Sequence, residues 1–262
     1  MTLAVCATPI GNLDDVTLRV LTELREADVV LCEDTRHTRG LLERHGIKAR
    51  LLSYHEHNEA ARTAELLPRL QAGERIALVS DAGMPGVSDP GARLVRAALD
   101  ADVPVTVLPG PSAVDTALVA SGLVGERYQF VGFLPRGAKD WTALAGVPWP
   151  TVAFESPQRL PATLRSLAAV DPEREVAVCR ELTKRFEEVV RGTAAELAAR
   201  FSEPPKGEIV LVLGPGGSEP DADAALAAVS ELVEAGVPRK RAADLVARLT
   251  GVARNRLYRG SL

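Results

Sequence analysis

Ser80-Asp81-Ala82-Gly83-Met84-Pro85-Gly86-Val87-Ser88-Asp89-Pro90-Gly91 separates two contrasting stretches of the chain. Before it stands Ile76-Ala77-Leu78-Val79, apolar and short, as a buried strand requires. After it stands Ala92-Arg93-Leu94-Val95-Arg96-Ala97-Ala98-Leu99, whose apolar residues recur at helical spacing. A strand, a long glycine- and proline-rich loop and a helix form the unit that places ligands at the carboxyl end of an α/β sheet. Pro85 and Pro90 stiffen the loop. Asp81 and Asp89 put carboxylates where a ligand hydroxyl or amine can be held. Asp89 is also placed to cap the following helix, with Pro90 at its first position. A bare βα turn needs only one or two such residues, so the loop reads as a preformed small-molecule site.

The same unit recurs on either side. Leu3-Ala4-Val5-Cys6-Ala7 ends in Thr8-Pro9-Ile10-Gly11-Asn12-Leu13, and a helix capped by Asp14 or Asp15 is expected to bury Val16, Val20, Leu21 and Leu24. No G-x-G-x-x-G and no Gly-Lys-Ser/Thr follows, which excludes the dinucleotide and phosphate-loop fingerprints here. Val29-Val30-Leu31-Cys32 emerges at Glu33-Asp34-Thr35-Arg36-His37-Thr38-Arg39. A helix over residues 41–45 and a short strand at Leu51-Leu52 lead to Ser53-Tyr54-His55-Glu56-His57-Asn58-Glu59. If extended, this segment turns His55 and His57 to opposite sides, which argues against a metal site. A helix over 60–70 precedes the central strand. A strand over 103–108 runs into Pro109-Gly110-Pro111-Ser112-Ala113, where Ser112 either caps the next helix or meets a ligand. Repeated strand–helix units imply a mainly parallel sheet.

Beyond Ser121-Gly122-Leu123 the pattern changes. Tyr128-Gln129-Phe130-Val131-Gly132-Phe133 and Thr151-Val152-Ala153-Phe154 read as strands, the first followed by a loop at Leu134-Pro135-Arg136-Gly137. Helices are expected over 158–168 and 193–201. Val176-Ala177-Val178-Cys179 has a hairpin partner in Glu187-Glu188-Val189-Val190-Arg191-Gly192, and Pro204-Pro205-Lys206-Gly207-Glu208 feeds a last strand over 209–213. Neighbouring hairpins imply a mixed sheet. Gly214-Pro215-Gly216-Gly217-Ser218-Glu219-Pro220 reads as a linker. Three short helices from 221 onward have either the pattern of a helix-turn-helix module or that of a packing cap. The expectation is an α/β chain of two α/β domains, 1–113 and 114–214, with a small basic helical module at 220–262.

Composition is ordinary for a globular chain of 262 residues, 46% hydrophobic and 25% charged. No apolar run approaches the ~20 residues of a membrane span. The first residues lack a signal-peptide pattern, so a cytoplasmic location is expected. Cys6, Cys32 and Cys179 lack metal-ligand spacing and read as buried reduced thiols. Net charge is −4, which disfavours indiscriminate nucleic-acid binding. Residues 237–262 nevertheless hold seven basic residues against Asp244 alone, and Arg36, Arg39, Arg44, Lys48 and Arg50 oppose only Glu43. Such patches on an acidic body fit either a selective polyanion partner or merely solvated helix faces.

Taken in order, Thr8–Leu13, Glu33–Arg36, Ser53–Glu59, the 80–91 loop, Pro109–Ala113 and Arg180-Glu181-Leu182-Thr183-Lys184 resemble the motifs of the tetrapyrrole (corrin/porphyrin) methylase superfamily. The resemblance covers about residues 3–213, and the tail is similar to that of the superfamily's RNA-methylating branch. It implies two α/β domains with S-adenosylmethionine in the cleft between them, and a homodimer. It implies cofactor contacts at Ile10, Asp81, Gly83, Val87, Ser112, Ala113, Phe154, Leu182 and Gly207. It also implies 2′-O-methylation of a cytidine ribose in the decoding region of 16S ribosomal RNA. A ribose hydroxyl needs a base, and Glu33, Asp34 and His55 are the expected catalytic groups. Arg36, His37, Arg39 and Lys184 are expected to meet RNA phosphates. Metal is not expected. A methyltransferase for a tetrapyrrole or a protein side chain, and a non-catalytic RNA-binding protein, are the alternatives.

Overall fold

The computed structural model describes residues 3–134, 144, 146–216 and 222–260. The expected loop at Pro135-Arg136-Gly137, the linker's second half at 217–220 and the helix start at Asp221 lie outside the described residues. The chain forms two five-stranded sheets and a helical tail.

The first sheet contains β1 (Leu3–Cys6), β2 (Val29–Cys32), β3 (Leu51–Ser53), β4 (Ile76–Val79) and β5 (Val105–Leu108), in the order β3-β2-β4-β1-β5. Every pairing is parallel. β1, β2 and β4 are buried at every position, as expected of strands covered on both faces. Alternation divides their side chains between two cores. Leu3, Val5, Leu31 and Leu78 pack under α3 (Glu59–Gln71) and α4 (Ala92–Asp100). Ala4, Cys6, Cys32 and Val79 pack under α1 (Leu18–Glu26) and α2 (Thr35–Arg44).

The second sheet contains β6 (Gln129–Phe133), β7 (Thr151–Glu155), β8 (Glu175–Arg180), β9 (Glu188–Thr193) and β10 (Ile209–Leu213), in the order β6-β7-β10-β8-β9. It is mixed, since β6 and β7 pair in parallel and the other pairs are antiparallel. α5 (Ala113–Ser121) leaves the first sheet and lies on one face of this second one, through Val114, Ala117 and Leu118. On the other face, α6 (Leu160–Val170) and α7 (Ala194–Arg200) supply Leu160, Leu164, Leu167 and Leu197. The tail folds as α8 (Ala222–Glu234), α9 (Arg239–Thr250) and α10 (Arg254–Gly260) around Val229, Ala242, Val246 and Leu257. The three thiols are free and buried, and burial pushes those of Cys6 and Cys179 up to about 12.

Three helix starts differ from the sequence reading. Asp14 and Asp15 sit in a 3₁₀ turn capped by Asn12, and α1 begins at Leu18 under the Thr17 hydroxyl. Asp14 instead binds Arg44 at 2.9 Å. α2 begins at Thr35, six residues before the expected helix, because Asp34 accepts from the Arg36 N–H and supplies the cap. α4 is preceded by Gly91 without a side-chain cap, so Asp89 does not serve that role. Leu78 is central to the first sheet and fully buried. Leu78→Ala is expected to lose about 2–5 kcal/mol of stability, read as a lower urea midpoint with unchanged slope.

Candidate active site

In a parallel sheet all strands point one way, so the loops after β1, β2, β3, β4 and β5 gather at one edge. Two of them are stitched together. Thr8 and Gly83 exchange backbone hydrogen bonds of 2.8 and 3.1 Å, and the Thr8 hydroxyl donates to the Ser80 carbonyl at 3.0 Å. The far end of the 80–91 loop is fixed from α3, where Glu59 accepts from the Gly91 N–H at 3.0 Å and from the Tyr54 hydroxyl at 3.2 Å. Gly91 has φ 138°, and a Cβ there would stand 2.9 Å from Leu78 Cδ2. Ser88 holds the left-handed region at φ 63°, a strained state for a non-glycine residue.

Around this loop four carboxylates meet. Asp81 Oδ1 accepts from the Asp34 N–H at 3.1 Å, and Glu33 Oε1 faces the Asp81 N–H at 3.4 Å. Burial raises the Glu33 carboxyl above its ordinary value; the Asp81 N–H and His55 oppose this, and the Asp81 charge adds to it. Asp89 is turned toward the same group. Burial first, then Glu33 and Asp81, push it up to about 7, against the Ser80 hydroxyl. Asp34 differs. Arg36 grips its carboxylate at 2.9 Å and holds it down at about 2, which makes it a weak base. His55 lies beside Glu33, its ring 5.9 Å from that of His57 and not on the opposite side of an extended segment. Its Nε2 is 3.2 Å from Asn58 Nδ2, and its buried Nδ1 has no hydrogen-bond partner among the described residues.

Next to the carboxylates is an apolar wall shared by both sheets. Ile10 and Leu182 join Val114, Val152 and Val210 in one core, with Ala113 and Phe154 packed against it. A Cβ at Gly83 would stand 3.8 Å from Ile10 Cγ2 and 4.0 Å from the Pro111 carbonyl. Gly11 allows the closest approach between the two halves, since a Cβ there would meet Lys184 Cγ at 2.5 Å and the Leu182 carbonyl at 2.8 Å. The Asn12 N–H donates to the Thr183 hydroxyl at 3.0 Å across the same seam. Glu181 and Thr183 both take positive φ, 52° and 63°. Lys184 Nζ holds the turn by binding Glu181 at 2.9 Å and Glu208 at 3.0 Å. Those two carboxylates keep the Lys184 ammonium charged against its burial.

The structure thus brings together Ile10, Gly83, Ala113, Phe154 and Leu182 as an apolar group, and Glu33, Asp34, His55 and Asp81 as a polar one. Ser112 caps α5 by accepting from the Asp115 N–H at 3.3 Å. Val87 is exposed, and Gly207 lies against the Glu181 side chain. Arg36, His37 and Arg39 form the exposed first turns of α2. Lys184 is engaged with carboxylates. Sequence reasoning missed the clamps from Thr8, Glu59 and Glu208, although each lies in or beside a quoted motif. Among the described residues no group of three or more His, Cys, Asp or Glu side chains is arranged to hold a metal ion.

Residues 2–198 match the family of tetrapyrrole (corrin/porphyrin) methylases, and residues 218–260 match the RsmI C-terminal HTH domain. Curated proteins called "Ribosomal RNA small subunit methyltransferase I" are similar over nearly the whole length. That of Mesorhizobium japonicum is 45% identical, covering 98% of this chain and 90% of its own. That of Escherichia coli O157:H7 is 43% identical, covering 99% and 94%. The chain belongs to this methylase family. Solved family structures share its fold. A uroporphyrin-III C-methyltransferase from Thermus thermophilus, complexed with S-adenosyl homocysteine, aligns with TM-score 0.59 at 22% identity over 81% of this chain and 96% of its own. Cobalt precorrin-4 methyltransferase gives TM-score 0.62 at 21% identity over 81% and 94%.

The raised Asp89 carboxyl makes folding depend on pH. An acid with a folded pKa near 7, against about 4 unfolded, contributes stability that is present below pH 4 and lost as pH rises through 7. Asp89→Asn stays neutral throughout. Its stability relative to the parent is expected to rise between pH 5 and pH 8 in urea titrations, and a pH-independent difference counts against the buried acid.

Proposed function

We propose that the chain is an S-adenosylmethionine-dependent methyltransferase that methylates the 2′-oxygen of a cytidine ribose in the decoding region of 16S ribosomal RNA. The observation that carries this is the Glu33–Asp81–His55 group standing beside an apolar wall built from both sheets. The relatives' shared designation supports the substrate class.

The donor set fits the cofactor. Ile10, Phe154 and Leu182, which share one apolar cluster, are the proposed surface for an adenine, Asp81 the acceptor for ribose hydroxyls, and Gly83, Val87, Ser112, Ala113 and Gly207 the remaining proposed contacts. When bound, the cofactor supplies a methyl group already activated on a sulfonium. Positioning then carries much of the barrier reduction. Glu33 takes the proton from the 2′-hydroxyl, since its raised carboxyl is the stronger base, while Asp34 is held by Arg36. His55 orients the hydroxyl beside Glu33. Asp34 positions Asp81 through its N–H and caps α2. Arg36, His37 and Arg39 face solvent from α2 and meet phosphates. Lys184 shapes the seam and adds a charge near the RNA path.

The substrate is the RNA within the assembled small subunit, and the enzyme acts in the cytoplasm as a homodimer. No described helix is long and apolar enough to cross a membrane. The test is transfer of labelled methyl to small subunits, naked 16S RNA and a corrinoid, with mapping of the modified nucleotide. Label on the corrinoid alone, or binding without transfer, would overturn the proposal. Asp81→Ala is expected to abolish cofactor binding in calorimetry, and unchanged affinity contradicts its role. Glu33→Gln is expected to slow methyl transfer about 100-fold or more while cofactor affinity holds, and a rate near the parent's rules out Glu33 as the base.

A further inference from the structure

The turn between β8 and β9 carries more than the seam needs. Its backbone is held at both ends. Glu181 N–H donates to the Glu208 carbonyl at 3.0 Å, Lys184 N–H to the Glu181 carbonyl at 3.0 Å, and Glu187 N–H to the Lys184 carbonyl at 3.1 Å. Glu187 in turn accepts from the Thr183 N–H at 2.6 Å. At the tip of this rigid turn Phe186 is 64% exposed. The Arg185 guanidinium stands over its ring at 5.5 Å, and Arg185 is itself exposed. An exposed ring on a fixed support gains nothing for folding, because its apolar face stays in water. Beside the tip an open hollow of about 670 Å³ is walled by Asn12, Asp14, Arg44, Thr183, Lys184 and Arg185. The hollow is bounded by the same two loops, after β1 and after β8, that meet at the seam.

We infer that Phe186, backed by Arg185, is a stacking seat for an unpaired nucleobase of the RNA substrate, with the adjoining phosphate beside the Arg185 guanidinium. This deepens the ribosomal-RNA reading and rests on it. Exposed aromatics and arginine planes are the surfaces on which single-stranded bases stack, and stacking tolerates any base because each has a π-face. A rigid platform loses little entropy when the base arrives. Arg44 is paired with Asp14, and Lys184 with Glu181 and Glu208, so among the described residues Arg185 is the cation at this tip with no ion pair, placed to meet the phosphodiester beside the stacked base. The seat fixes the strand next to the target nucleotide, so its energy is felt in substrate binding and not in the methyl-transfer step.

The test uses the full-length enzyme with small ribosomal subunits and saturating S-adenosylmethionine. Phe186→Ala is expected to raise KM for subunits about tenfold or more. Phe186→Trp is expected to restore the parent KM, and Phe186→Leu is not, since leucine keeps apolar area and lacks a π-face. Calorimetry is expected to show cofactor affinity unchanged in all three. A parent-like KM for Phe186→Ala, or full rescue by Phe186→Leu, overturns the seat. A lower oligomer mass for Phe186→Ala in sedimentation also overturns it, by making the ring a contact between copies. If the parent itself fails to methylate subunits, the ribosomal-RNA reading falls, and the seat falls with it.

Discussion

The structure depends on one close approach, the packing of the loop after β1 against the turn after β8. Ile10 enters the apolar face of the second sheet, and Gly11 leaves room for Leu182, Thr183 and Lys184 to come within contact of the backbone. A side chain at Gly11 would push the halves apart. The seam also has polar content, in the Asn12–Thr183 bond and in the Lys184 bridge between Glu181 and Glu208. α5 strengthens it from the other direction, since it follows a strand of the first sheet and packs on the second. The carboxyl-end loops therefore do not open onto solvent alone. They face a wall contributed by a different sheet, and that wall gives the edge of the first sheet the form of a cleft.

Within the cleft, like charges are held close at a cost. Burial first, then the neighbouring charges, raises the carboxyls of Glu33 and Asp89, and the arrangement persists because backbone N–H groups of Asp34 and Asp81 bind the carboxylates of Asp81 and Glu33. Loop rigidity supplies the rest, through the Thr8–Gly83 bridge and the Glu59–Gly91 clamp. In the proposed site this electrostatic pattern has a use. A concentration of negative charge attracts a sulfonium cation and a proton, and it repels phosphates. In that proposed reading the RNA backbone is met at a distance, by the exposed Arg36 and Arg39 of α2 and by Arg185. Separate regions handle the two opposite charges.

Much of this was legible in the sequence, for a physical reason. Strands buried on both faces are continuous apolar runs, so β1, β2 and β4 were plain, and the loop chemistry at their ends followed. The hairpin of β8 and β9 was legible from its paired runs. Caps were harder. Asp14, Asp15 and Asp89 are all good cap residues, yet Asn12, Thr17 and Gly91 hold those positions. Propensity ranks such residues almost equally, and tertiary partners decide: Arg44 draws Asp14 away, and Ser80 faces Asp89. The start of α2 was hidden because Thr35, Arg36 and His37 carry no apolar signal. The clamps of Glu59 on Gly91 and of Glu208 on Lys184 join residues 32 and 24 positions apart. No local pattern records such a pairing.

The same fold carries proteins with very different substrates, among them a uroporphyrin methyltransferase, a cobalt precorrin methyltransferase and a diphthine synthase, all under 25% identical to this chain. At that identity the common property is the two-sheet frame, and substrate choice belongs to what is grafted on it. In this chain the grafts are identifiable. They are the polar strand ends after β2 and β3, the tied turn after β8 with its exposed ring, and the basic helical tail with its own core. The first two stand at the mouth of the cleft. Among the described residues the tail shares no buried cluster with either sheet, and Lys240, Arg241, Arg248, Arg256 and Arg259 are exposed on it. In the proposed reading a polyanion larger than the site is met from outside by these exposed groups while one nucleotide reaches the carboxylates.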